Sequence, residues 1–106
     1  MDVKRSLEKL KKLFSNPEHW TKGCFARDST GWSSASIQSG VCWCLVGGIS
    51  KVSDNHGEYR QIRDRLLLAL KGSNYNDDSG PLIEWNDLPE RKHSEVIALI
   101  DKAIEL

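Results

Sequence analysis

The chain has 106 residues, fifteen basic and fifteen acidic side chains that cancel, and a hydrophobic content of 39%. That length supplies one hydrophobic core and no second, and the apolar and charged fractions together exclude wholesale disorder. With no net charge there is no global field to recruit nucleic acid or an anionic membrane, so neither is expected as a partner.

Residues 2–14 place Val3, Leu7, Leu10 and Phe14 at helical spacing, with Asp2 as the N-cap and lysines on the opposite face. Asn16-Pro17 ends this helix and opens a short turn through Trp20. In the next segment Asp28 to Gly31 carries turn chemistry between apolar flanks, which allows a short β-hairpin over Gly23 to Trp32. Ser33 to Ser39 then offers several N-caps for a helix from about Gly40 to Lys51. Its Val41, Leu45, Ile49 and Cys42, Val46 rows cover most of the circumference, which predicts a central helix.

After a polar turn over Ser53 to Gly57, Tyr59, Ile62, Leu66, Ala69 and Leu70 define a long helix ending near Gly72. Gly72 to Gly80 has loop composition, and Pro81 suits the first turn of a short helix carrying Leu82, Ile83 and Trp85. Asp87, with Glu90 three residues on, reads as a capping box for a last helix to about Ile104, whose apolar face includes His93, Val96, Leu99 and Ile100. The expected fold is mainly α: a single compact domain over residues 1–106, with about four main helices and room for a short hairpin after the first.

Three arrangements in this order carry a resemblance. They are Trp20 to Gly31, then Trp43-Cys44-Leu45-Val46-Gly47, then Ile83 to Asp87 continuing through His93-Ser94-Glu95-Val96. Together they resemble a domain-of-unknown-function family of small bacterial and phage proteins with Trp-Cys-x-x-Gly and Trp-Asn-Asp motifs. The departure is Gly48, where that family leads one to expect alanine. The resemblance implies a helical architecture and a bacterial or phage origin, and it transfers no catalytic residues.

The chemistry-bearing residues are few. Cys24, Cys42 and Cys44 make an odd number, and no apolar N-terminal stretch resembles a signal peptide, which predicts a reduced, cytoplasmic protein. No apolar run approaches the ~20 residues that cross a bilayer. On a helix Cys42 and Cys44 project to opposite sides, so no metal pair is expected there, and no cofactor either. A thiol enzyme would need Cys42 or Cys44 beside a base, for which His93 with Asp87, or His56, are the candidates. The preferred reading treats Cys44, Gly47 and Gly48 as small residues that admit a close neighbour, and Asn86 and Asp87 as backbone caps.

Charge is uneven along the chain. Lys4, Arg5, Lys9, Lys11 and Lys12 make the first helix basic, which leaves weak nucleic-acid binding as a lesser alternative. The stretch 76–90 is acidic and interleaves aromatic residues, the pattern of a protein interface. Tyr75, Asp77, Asp78, Glu84 and Trp85 are therefore the candidate partner-binding residues. The expected function is a non-enzymatic protein-interaction module, a phage or mobile-element accessory that binds a host protein, with a cysteine-dependent enzyme as the alternative.

Overall fold

The computed structural model describes residues 2–71 and 79–106. Helix α1 spans Val3–Phe14, and the Asp2 carboxylate accepts the Lys4 amide at 3.0 Å to cap it. A single 3₁₀ turn, Pro17–His19, follows. Strand β1, Ala26–Arg27, pairs antiparallel with β2, Cys42–Trp43, with Ala26 opposite Trp43 and Arg27 opposite Cys42. Four further helices complete the described chain: α2 over Leu45–Val52, α3 over His56–Lys71, α4 over Gly80–Asp87 and α5 over His93–Glu105.

Helix α1 lies against α2, α3 and α5. Its Leu7, Leu10 and Phe14 are fully buried, together with Leu45 and Ile49 of α2, Ile62 and Leu66 of α3, Leu82 of α4, and Val96 and Ile100 of α5. One continuous cluster therefore holds every helix, and Trp43, at 5% exposure, joins the small sheet to it. Among the described residues, no helix is long and apolar enough to cross a membrane.

The core also contains charge. Glu58 is 3% exposed; its carboxylate accepts the Ser6 hydroxyl at 2.6 Å and the Asp54 amide at 2.7 Å, and pairs with the Lys9 ammonium at 2.9 Å. Asn55 reciprocates by accepting the Glu58 amide at 2.9 Å, so the start of α3 is capped while Glu58 ties α3 to α1. A buried carboxylate is tolerated only when its lone pairs are filled in this way.

Three elements differ from the sequence expectation. The central helix begins at Leu45 rather than Gly40, because the intervening backbone is occupied elsewhere: Val41 N–H donates to the Arg27 carbonyl at 2.8 Å and Cys44 N–H to the Phe25 carbonyl at 3.3 Å. Cys42 consequently lies in a strand, and the helical projection argued for the cysteine pair is overturned. The last helix starts at His93, since Leu88 ahead of Pro89 is extended (φ −55°, ψ 134°), which residues preceding proline favour. Its first turn is closed by the Glu95 carboxylate accepting the Lys92 amide at 2.8 Å, in place of the Asp87 and Glu90 box. The turn at Asp28–Gly31 forms and lets Ser33 bridge Arg27, but the main partner of β1 comes from Cys42–Trp43, fifteen or more residues further along.

Candidate functional site

The Trp85-Asn86-Asp87 run closes α4 and faces the start of α2 and the segment from Trp20 to Phe25. Asn86 is fully buried. Its side-chain oxygen accepts the Trp20 indole N–H at 2.6 Å and the Leu45 amide at 3.1 Å; its amide nitrogen donates to the Thr21 carbonyl at 3.1 Å and to Asp87 Oδ1 at 3.0 Å. The same Asp87 oxygen accepts the Gly23 amide at 3.1 Å. Both residues are backbone caps, as expected from their chemistry, but they cap elements far away in sequence rather than the helix that follows them.

Around this hub the backbone packs tightly. A Cβ on Gly47 would stand 1.9 Å from the Phe25 carbonyl oxygen, and one on Gly48 would stand 2.4 Å from the Phe14 ring. The small residues therefore do admit a close neighbour: a strand-like backbone at Gly47 and helix α1 at Gly48. Arg27 secures the same segment from outside, donating to Thr21 Oγ1 at 2.8 Å, the Lys22 carbonyl at 2.7 Å and the Gly31 carbonyl at 3.0 Å. Gly23 has φ +83°, a conformation that suits glycine.

All three cysteines are free thiols. Cys44 is the N-cap of α2, its sulfur accepting the Gly47 amide at 3.3 Å. Burial pushes its thiol up, opposed by the Gly47 and Val46 amides and reinforced by the charges of Asp87 and Cys24. That is the reverse of the lowered pKa an activated thiolate needs. His93 directs Nε2 at the Phe14 carbonyl, 2.6 Å away, and its ring lies 6.2 Å from that of Trp20. His56 occupies the exposed first turn of α3, stacked on Tyr59. Among the described residues, no group of three or more His, Cys, Asp or Glu side chains is placed to hold a metal ion.

Exposed apolar side chains stand among the exposed polar residues of the outer surface of this region. Trp32 is 76% exposed, Phe25 52% and Val41 47%; Trp32 and Val41 lie in the β1–β2 connection and Phe25 directly precedes β1. A shallow cleft of about 430 Å³ runs along it, lined by Cys24, Phe25, Ala26 and the Ser33–Ile37 turn. The serines there bond one another, Ser36 Oγ to Ser39 Oγ at 2.9 Å, instead of capping a helix.

Of the five residues singled out for partner binding, Tyr75, Asp77 and Asp78 lie outside the described residues. Glu84 is exposed at a groove of about 320 Å³ between the ends of α3 and α4, shared with Leu70, Lys71, Pro81, Trp85 and Leu88. Trp85 is partly buried against the core, and the Arg91 guanidinium covers its ring at 4.0 Å while donating to its carbonyl at 2.8 Å. Sequence reasoning did not find the exposure of Trp32. The available signal was its position directly after the Asp28–Gly31 turn, where a large side chain has no helix or strand to pack beneath it.

These features define a small, mainly helical domain whose two-stranded lobe is pinned by a buried asparagine and turns aromatic residues outward. The chain belongs to a family of unknown function, DUF6197, whose model matches residues 1–106. No match to the chain was found among curated proteins or among solved structures.

Proposed function

We propose that this protein is a non-enzymatic interaction module that docks another protein on the outer face of the β1–β2 lobe. The observation that carries the reading is the exposure of Trp32 at 76%, with Phe25 and Val41 also exposed, on a segment anchored to the core by Asn86 and Arg27. Scattered exposed apolar residues are ordinary, but tryptophan and phenylalanine on a rigid support are the anchors that protein interfaces use. The raised pKa of Cys44 and the engagement of His93 with Phe14 favour this reading over a cysteine-dependent enzyme. The α3–α4 groove with Glu84 is the second surface to test, together with the sequence candidates Tyr75, Asp77 and Asp78. A host protein as the partner, and a phage or mobile-element setting, rest on the motif resemblance and belong to the proposal.

The experiment is affinity capture with the wild-type chain, with Phe25→Ser/Trp32→Ser, and with Asp77→Lys/Asp78→Lys. The reading expects a stoichiometric protein partner that the first variant loses and the second retains. Loss confined to the lysine variant would move the interface to the acidic stretch.

A further inference from the structure

Cys24 and Cys44 line the same cleft, of about 130 Å³, together with Gly23, Phe25, Ile83 and Asp87. Cys44 N–H donates to the Phe25 carbonyl at 3.3 Å, so the backbone directly after Cys24 is held against Cys44. The two thiols differ in access: Cys24 is partly exposed, whereas Cys44 is 3% exposed. Cys24 also adds a small electrostatic push to the Cys44 thiol, behind burial and Asp87. Cys42 is placed differently, opposite Arg27 in β2 and outside the lining of that cleft.

We propose that Cys24 and Cys44 form a redox pair that a peroxide oxidises to an intramolecular disulfide, tying the Gly23–Phe25 segment to the first turn of α2. The accessible Cys24 thiolate attacks one oxygen of hydrogen peroxide; the O–O bond breaks, a sulfenic acid forms and hydroxide leaves. The Cys44 thiol then attacks the Cys24 sulfur, forming the S–S bond as the second hydroxide leaves and takes up the Cys44 proton. The two thiol protons combine with the two hydroxides, so two thiols and one peroxide give one disulfide and two waters. Cys24 meets the oxidant and Cys44, protected by burial, resolves the intermediate. This chemistry stands independently of what the lobe binds.

The test exposes the folded full-length chain to hydrogen peroxide, then quenches, denatures, alkylates and maps peptides under non-reducing conditions. The expected result is loss of two of the three alkylatable thiols, a peptide linking Cys24 to Cys44, full labelling of Cys42 and recovery of all three on reduction with dithiothreitol. Cys42→Ser should keep the link, and Cys24→Ser, at a partly exposed position, should leave Cys44 fully alkylatable after the same treatment. A link through Cys42, a link between chains, or undiminished labelling of Cys24 and Cys44 would overturn the proposal.

Discussion

The side-chain oxygen of Asn86 lies 3.1 Å from the backbone amide of Leu45, so the end of α4 caps the start of α2 across 41 positions of sequence. Together with the bond from Trp20 to the same oxygen, this contact fixes the lobe on the helical core.

Replacing Asn86 by alanine removes all of its bonds and leaves the Trp20 indole N–H and the Leu45 amide without their partner in a buried place. An unsatisfied buried polar group costs about 1–3 kcal/mol, so Asn86→Ala should destabilise by ~3 kcal/mol. In a domain of this size that lowers the melting temperature by roughly 10 °C or more. Thermal unfolding followed by circular dichroism checks this, and a shift of a degree or two would show that the hub is dispensable.

The glycine pair separates backbone contact from side-chain contact. A methyl group on Gly47 meets the Phe25 carbonyl, which can move only if β1 moves, whereas one on Gly48 meets the ring of Phe14. Overpacking costs about 1–3 kcal/mol and sometimes more, offset by the ~1 kcal/mol that alanine gains over glycine within a helix. Gly47→Ala should therefore be the more damaging of the two, and Gly47→Leu worse still. Urea denaturation midpoints give the order, and equal midpoints for Gly47→Ala and wild type would contradict the close approach.

Much of this was legible in the sequence. The apolar spacing of α1 and α3 located both helices, because each buries one stripe and nothing competes for its backbone. Cys42-Trp43 misled because its apolar content fits a helix as well as a strand, and pairing with Ala26–Arg27 is a long-range choice that local periodicity does not encode. Asn86 was readable as a cap from its chemistry, yet its target lay in another element, and spacing along the chain carries no such information. Nothing in the local spacing marks Glu58 as buried; only the fold brings Ser6 and Lys9 to it.

Glu58 also sets an acid limit. Burial pushes its carboxyl up, but the Ser6 hydroxyl, the Asp54 amide and Lys9 together outweigh burial and hold it below its ordinary value of 4.5. A carboxyl with a depressed folded-state pKa contributes stability that is fully present above its unfolded pKa and is lost as pH falls through the folded one. Stability should therefore decline as pH drops below about 4.5, and Glu58→Gln should be less stable at neutral pH with a shallower acid decline. Asp28, lowered by its bonds to Thr30, supplies a further part of that slope. Parallel pH profiles for wild type and Glu58→Gln would remove Glu58 as a determinant.

Docking on the β1–β2 lobe depends on the outward aromatic residues, and the most direct measurement pairs binding with stability for Phe25→Ser/Trp32→Ser. Both positions are more than half exposed, so the melting curve should stay close to that of wild type, with each substitution within about 0.5 kcal/mol. Quantitative capture of the partner protein should fall to background in the same preparation. Full retention of the partner by this folded variant, or no partner captured by the wild-type chain, would contradict the assignment of the β1–β2 lobe as a protein-docking surface.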